Sequence, residues 1–289
     1  MNLSRNQDVA KEISKNFLMG IGPVRAMRQR QGRTSAAMPT QDNLGRYAFD
    51  PVLCIFEILP DMKGLDVFEI GPGDHLASGF VCLGTGARRY ETADRFLGDV
   101  SGPVAKSWYR AVKEHWQAFL PDHPFEEGLD PDAFPEGYPD RVLAQQIAVE
   151  SLEKKTGFDV VYSFHVGEHV SDIDAFARST FDLLKPGGVA IHHVNYGPHD
   201  CWLTYDDPWT FLGFSDSVWK MMGSNRGTPN RFRHHEFVAA FEKAGLVIDD
   251  TKIEHLPPPA NHVAERFRDM TPEQLSVLNS LFKLRKPAA

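Results

Sequence analysis

Apolar and polar positions along this chain switch repeatedly between a strand-like and a helix-like spacing. The run Leu65-Asp66-Val67-Phe68-Glu69-Ile70 is short and apolar and stops at Gly71-Pro72-Gly73, so it reads as a buried strand entering a tight turn. Residues 75–84 suit a helix opening at that turn, and residues 87–94 read as a second strand ending on Asp94. Helical spacing returns over residues 102–120, where Val104, Trp108, Ala111, Val112, Trp116 and Leu120 share a face. A proline- and acid-rich loop over 121–140 follows, and 97–140 as a whole reads as an insertion. Residues 142–152 contain a third strand. A fourth strand, Phe158-Asp159-Val160-Val161-Tyr162-Ser163-Phe164, leads into a helix over 176–184. Lys185-Pro186-Gly187-Gly188 stops that helix, and residues 189–194 form the next buried strand. Strand, helix and strand in this order predict an α/β sheet.

The N-terminal part reads differently. Residues 8–17 have helical spacing, Gly20-Ile21-Gly22-Pro23 breaks it, residues 29–43 are polar, and residues 51–59 are apolar again. These features predict a helical cap over residues 1–62, ahead of a core spanning 63–289. Arg46 and Tyr47 lie just before the apolar segment, where either could reach a ligand carboxylate, although surface or packing roles are the commoner fate of such residues.

Composition narrows the function classes. In 289 residues, 42% hydrophobic and 24% charged is ordinary for a globular chain able to bury a substantial core. A net charge of -8 argues against general attraction to nucleic acid or anionic lipid and favours small-molecule partners. Cys54, Cys82 and Cys201 are scattered and odd in number, which suits neither a disulfide framework nor a paired metal-ligand pattern. No apolar run reaches membrane-spanning length, so the expected location is the cytoplasm.

Candidate chemistry gathers where strands end. Glycine lets the backbone turn sharply and lets a flat ligand lie against main-chain atoms, so Gly71 and Gly73 mark a cofactor turn. Glu69, one position before the turn, is placed to accept hydrogen bonds from a ligand. Asp94 stands about 20 residues beyond the turn, the spacing at which an acid on the neighbouring strand grips ribose hydroxyls; a helix cap is the plainer alternative. Val149 and Glu150, at the end of the third strand, are positioned to border an adenine ring.

The turn Glu69-x-Gly71-x-Gly73, the acid Asp94, and the strand Phe158-Asp159-Val160-Val161 leading to Leu184-Lys185-Pro186-Gly187-Gly188 together resemble the class I methyltransferases that use S-adenosylmethionine. The resemblance covers residues 63–196 and extends more loosely to residues 237–245 and 246–253 as a last helix and strand, with 281–286 as an added edge strand. It implies a doubly wound, Rossmann-like sheet of seven mostly parallel strands, with the cofactor across the ends of the first, second and fourth. In that family Gly71 and Gly73 would line the methionine portion, Asp94 would hold the ribose, and Val149 and Glu150 would flank adenine. A nicotinamide or flavin dinucleotide would want glycine where Leu76 stands, so S-adenosylmethionine is the expected cofactor.

Methyl transfer needs an aligned nucleophile, exclusion of water and, for a hydroxyl acceptor, a base. Histidine suits the last task, and His165, His193 and His199 are the candidates. His192 and His193 must face opposite sides of a strand, so one is expected to be a hydrogen-bonded structural histidine. Tyr196 leads into a loop over the crevice. The aromatic-rich stretch 201–235, with Trp202, Trp209 and Arg226, is expected to shape the acceptor pocket; a small satellite core or a homodimer interface is the alternative. Arg231 and Arg233 are further candidates for an anionic acceptor group.

The resulting expectation is methyl transfer to a small molecule, with a hydroxyl oxygen as acceptor and nitrogen, sulfur or carbon left open. Two other classes are alternatives: a non-catalytic binding protein on the same fold, and a zinc hydrolase using His165-x-x-Glu168-His169. Gly167 weakens the second, because a glycine disfavours the ligand-bearing helix it requires. No metal ligands are assigned.

Overall fold

The computed structural model describes residues 3–23, 38–152, 157–198, 207–225 and 228–288. Its centre is one seven-stranded sheet in the order β3-β2-β1-β4-β5-β7-β6. The strands are β1 (Asp66–Ile70), β2 (Arg89–Ala93), β3 (Val142–Gln145), β4 (Phe158–Phe164), β5 (Leu184–Asn195), β6 (Val247–His255) and β7 (Val277–Arg285). The pairs β1–β2, β2–β3, β1–β4 and β4–β5 are parallel, whereas β7 runs antiparallel to both β5 and β6.

Side-chain alternation divides the core between the two faces of the sheet. Val67, Tyr90, Val160, Tyr162 and Ile191 pack with the helices Asp50–Phe56, Ala77–Gly84 and Pro103–Phe119 on one face. Phe68, Ile70, Val161, Ala190, Val194 and Phe282 pack with Ile173–Leu183 and His234–Lys243 on the other. Phe125, Leu129 and Phe134, from the proline-rich loop, also pack into the first cluster.

Local chemistry sets the helix starts. Asp172 caps Ile173–Leu183 by accepting from the Ala175 amide at 2.8 Å, and Pro103 opens Pro103–Phe119 where its missing N–H costs nothing. Val104, assigned to the buried face of that helix, is instead 56% exposed, because the face that packs is carried by Ala105, Trp108, Tyr109, Val112 and Trp116.

The expectation that residues 281–286 form an edge strand is corrected. β7 is inserted between β5 and β6, and its Phe282 and Leu284 are buried. β6 is the edge on that side, and its mostly exposed side chains suit a strand with one open flank.

The N-terminal region contributes the helix Leu3–Met19, which packs on Asp216–Gly223, and a second helical stretch from Gln41. That stretch includes a π-helical turn, Gly45–Phe49, an uncommon geometry often found near functional sites. Among the described residues no helix is long and apolar enough to cross a membrane.

Candidate active site

Strand order reverses between β1 and β4, and in open parallel sheets the crevice at the carboxyl ends of such strands is where ligands bind. The turn after β1 rises into that crevice with Gly71 at φ 72° and Gly73 at φ 76°, a left-handed backbone that favours glycine. A Cβ on Gly71 would lie 2.5 Å from Val166 Cγ2, so this glycine is needed for packing against the segment after β4. A Cβ on Gly73 would meet nothing within 4 Å, so this glycine faces open space.

Asp94 ties the turn to the end of β2. Its carboxylate accepts from the Gly73 amide at 2.9 Å and the Phe96 amide at 2.6 Å, which leaves lone pairs for a ligand. Burial raises its pKa, partly offset by those two amides. Val149 and Glu150 lie in a 3-10 turn, Val149–Ser151, beyond β3; Val149 is buried in the cluster holding Ile70 and Ala93, and Glu150 is exposed.

Glu69 does a different job from the one expected. Its side chain points into the interface between the sheet and Ala77–Gly84, where Ser78 Oγ donates to its two oxygens at 2.9 and 2.7 Å and Tyr90 OH donates to Oε2. The carboxylate is therefore occupied by the protein and props the turn from below. Burial pushes its pKa up to about 7 against the pull of those hydroxyls.

Three side chains converge at the ends of β4 and β5. His165 adopts φ 58°, a conformation a non-glycine residue rarely takes, and its amide donates to the His193 carbonyl at 3.0 Å. The rings of His165 and His193 meet edge to face, with centroids 4.6 Å apart. His165 Nδ1 lies 3.6 Å from Glu168 Oε1, a carboxylate only 2% exposed. Burial works to raise the Glu168 pKa, yet the contact with His165 and the charges of His169 and His165 hold it below the usual carboxylate range.

His193 and its neighbour divide as alternation requires. His192 is fully buried on the far face, within 2.7 Å of Ser163 Oγ and 3.1 Å of Thr180 Oγ1, and stacked on Phe241. It is the structural histidine. His193 faces the crevice, stacked on Phe164, and burial followed by the charge of His165 pushes its pKa down to about 4. Its Nδ1 is buried with no hydrogen-bond partner among the described residues.

Several expected acceptor contacts are corrected. Tyr196 is 3% exposed and packs against Phe237, with the Arg233 guanidinium over its ring. Trp209 is 1% exposed and donates to the Pro257 carbonyl at 2.7 Å; it belongs to a satellite core with Phe211, Leu212, Trp219 and Phe267. Arg233 is fully buried and donates to the carbonyls of Tyr196, Leu275 and Val277, while Arg231 is held by Asp216 and the Phe214 carbonyl. These arginines tie the satellite core to the sheet, so they are spent structurally. His199, Trp202 and Arg226 lie outside the described residues.

One residue near the histidines, Glu168, was missed as part of this site. Glu168 enters the sequence reading only through the zinc alternative, although its spacing of three from His165 is a usable signal. Arg46, on the π-helical turn, comes close enough for its charge to act on His193.

The model of a methyltransferase domain family matches residues 42–251, most of the chain. The chain belongs to the methyltransferase family. A curated relative, the ubiquinone biosynthesis O-methyltransferase of Brucella anthropi, is 37% identical over 67 residues. That match spans 23% of this chain and 23% of the relative. Among solved structures, phosphoethanolamine N-methyltransferase 2 of Haemonchus contortus is 15% identical, with 82% of this chain and 53% of that one covered at a TM-score of 0.48. An S-adenosylmethionine-dependent methyltransferase of Mesorhizobium loti is 14% identical, with 81% and 96% covered at a TM-score of 0.45.

The enzyme is thus an S-adenosylmethionine-dependent methyltransferase, and the zinc-hydrolase reading falls away. The segment proposed for zinc is a 3-10 turn, Gly167–His169, so its histidines do not project from one face of a helix. The turn fits the methyl donor. Gly73 opens onto free space, and Leu76 is fully buried where a dinucleotide fold would need a third glycine.

Proposed function

We propose that this methyltransferase methylates a hydroxyl oxygen of a small molecule, with His165 as the base and Glu168 as the group that holds it. The observation that carries the reading is the convergence of His165, Glu168 and His193 at the ends of two adjacent strands, beside the cofactor turn. Bound S-adenosylmethionine supplies an electrophilic methyl group on a sulfonium. Gly71 and Gly73 would hold its methionine portion, Asp94 its ribose, and Val149 with Glu150 would flank its adenine.

A hydroxyl acceptor must lose its proton as its oxygen attacks, and a positioned imidazole is the usual recipient. A buried carboxylate 3.6 Å from that imidazole fixes its orientation, the role that the third member of a catalytic triad plays. His193 remains uncharged at neutral pH and adds a neutral polar wall. The left-handed backbone at His165 costs about 1–2 kcal/mol, and it aims the side chain across the strand ends toward His193. The partial similarity to an O-methyltransferase points the same way.

The test is steady-state turnover of wild type, His165→Asn and Glu168→Gln with a panel of small hydroxylated acceptors, followed by release of S-adenosylhomocysteine. Loss of a general base is expected to lower kcat by about 10²- to 10⁴-fold. Cofactor affinity should stay unchanged. Full activity in His165→Asn would refute the assignment.

A further inference from the structure

Beyond the histidines, one row of polar side chains crosses the sheet on the same face. The register pairs Asn195 of β5 with Asn279 of β7, and Asn279 in turn with Glu254 of β6. His193 lies two residues before Asn195, so alternation places His193, Asn195, Asn279 and Glu254 together on the crevice side at the carboxyl end of β5. The diagonal from His193 to Asn279 is a cross-strand neighbour spacing, about 7–8 Å between backbones.

Asn279 has a fixed orientation. Its Nδ2 donates to Glu254 Oε2 at 2.5 Å, and an ionised carboxylate can only accept, so the amide nitrogen must face β6. The amide oxygen is thereby left over. Oδ1 is buried and has no partner among the described residues, as is true of Nδ1 on His193. A buried polar atom left unpaired is costly, and two of them on one face of a ligand crevice are places where a ligand would supply the partner. Asn195 differs, since its Oδ1 already accepts from the Gly197 amide at 2.7 Å.

We infer that Asn279, oriented by Glu254, is a specificity-determining residue that accepts a hydrogen bond from a second hydroxyl on the acceptor while the first lies at the histidines. The inference rests on the hydroxyl-acceptor reading and narrows it to molecules with two hydroxyl groups. Glu254 is a positioning residue, acting through the amide it holds. Flat rings make suitable probes, because the nearly parallel rings of Phe164 and His193 lie on this face.

The probes are catechol, resorcinol, hydroquinone and phenol, titrated calorimetrically into the full chain saturated with S-adenosylhomocysteine. At least one of the three diols should bind wild type about tenfold more tightly than phenol, the value of one well-made hydrogen bond. Asn279→Leu keeps the size and removes the acceptor, so it should abolish that preference without changing affinity for S-adenosylhomocysteine. Glu254→Ala, on the exposed edge strand, should reduce the preference by freeing the amide. Equal binding of phenol and all three diols would overturn the proposal, and so would a diol preference that survives in Asn279→Leu. Absence of binding by all four probes, with S-adenosylhomocysteine still bound, would overturn it as well. Failure of the hydroxyl reading itself would show separately, as loss-free turnover in His165→Asn.

Discussion

The two glycines of the turn share a backbone conformation and differ in surroundings, so one methyl group added to each separates folding from binding. In Gly73→Ala the new Cβ meets nothing within 4 Å, and the only intrinsic penalty is the left-handed backbone at φ 76°. That penalty is about 1–2 kcal/mol. In Gly71→Ala the same penalty is joined by a contact of 2.5 Å with Val166 Cγ2 and 3.1 Å with Cγ1. Valine cannot rotate freely away, and overpacking of this kind adds about 1–3 kcal/mol. Urea denaturation should therefore show a loss of about 1–2 kcal/mol for Gly73→Ala and about 2–5 kcal/mol for Gly71→Ala. Calorimetry with S-adenosylhomocysteine should show the reverse emphasis per unit of stability. The open space over Gly73 is where the cofactor would lie, so its affinity should fall at least about tenfold in a protein that remains folded. Wild-type affinity in Gly73→Ala would refute the placement of the cofactor against this turn.

Three further outcomes follow from the same structure. Asp94→Ala removes the acceptor for two backbone amides and the expected ribose contact; S-adenosylhomocysteine affinity measured by calorimetry should fall about tenfold or more. Glu69 titrates at about 7 in the folded chain against 4.5 for an ordinary glutamate, so the folded state holds its proton more tightly. The associated stability is complete below pH 4.5 and lost as pH rises through 7; between pH 5 and 8, wild type should lose about 2–3 kcal/mol that Glu69→Gln does not, read from denaturation at both pH values. Arg233→Ala leaves three carbonyls without their donor and opens a void between sheet and satellite core, and denaturation should show a loss of about 3–5 kcal/mol.

Much of the sheet was legible because its strands are short apolar runs bounded by glycine turns, and burial on both faces demands that pattern. The turn Gly71-Pro72-Gly73 and the acid Asp94 could be placed from spacing alone, since both sit where a strand must end. β7 was harder: the reading of residues 281–286 as an added edge strand missed both its start and its place inside the sheet, where Ser280 is buried and His234 Nδ1 lies 2.9 Å from its hydroxyl. Side-chain direction was least legible. Glu69 belongs to the cofactor motif yet points beneath it, because alternation along β1 puts it on the face that holds Tyr90 and Ser78. Aromatic residues after β5 carry no mark that separates a pocket lining from a satellite core, and Trp209 proved to be core. Glu168 was visible only as a spacing, because its value comes from the left-handed turn at His165.

The most direct test of histidine-assisted transfer to oxygen is to identify the atom that receives the methyl group. Incubation with S-adenosylmethionine labelled isotopically at the methyl carbon, together with a pool of hydroxylated, amino and thiol small molecules, allows the product to be read by NMR, where methyl groups on oxygen, nitrogen and sulfur resonate apart. The expected result is a methoxy product in wild type and only trace product in His165→Asn with cofactor binding intact. A methyl group on nitrogen or sulfur, or an undiminished methoxy signal in His165→Asn, would contradict it.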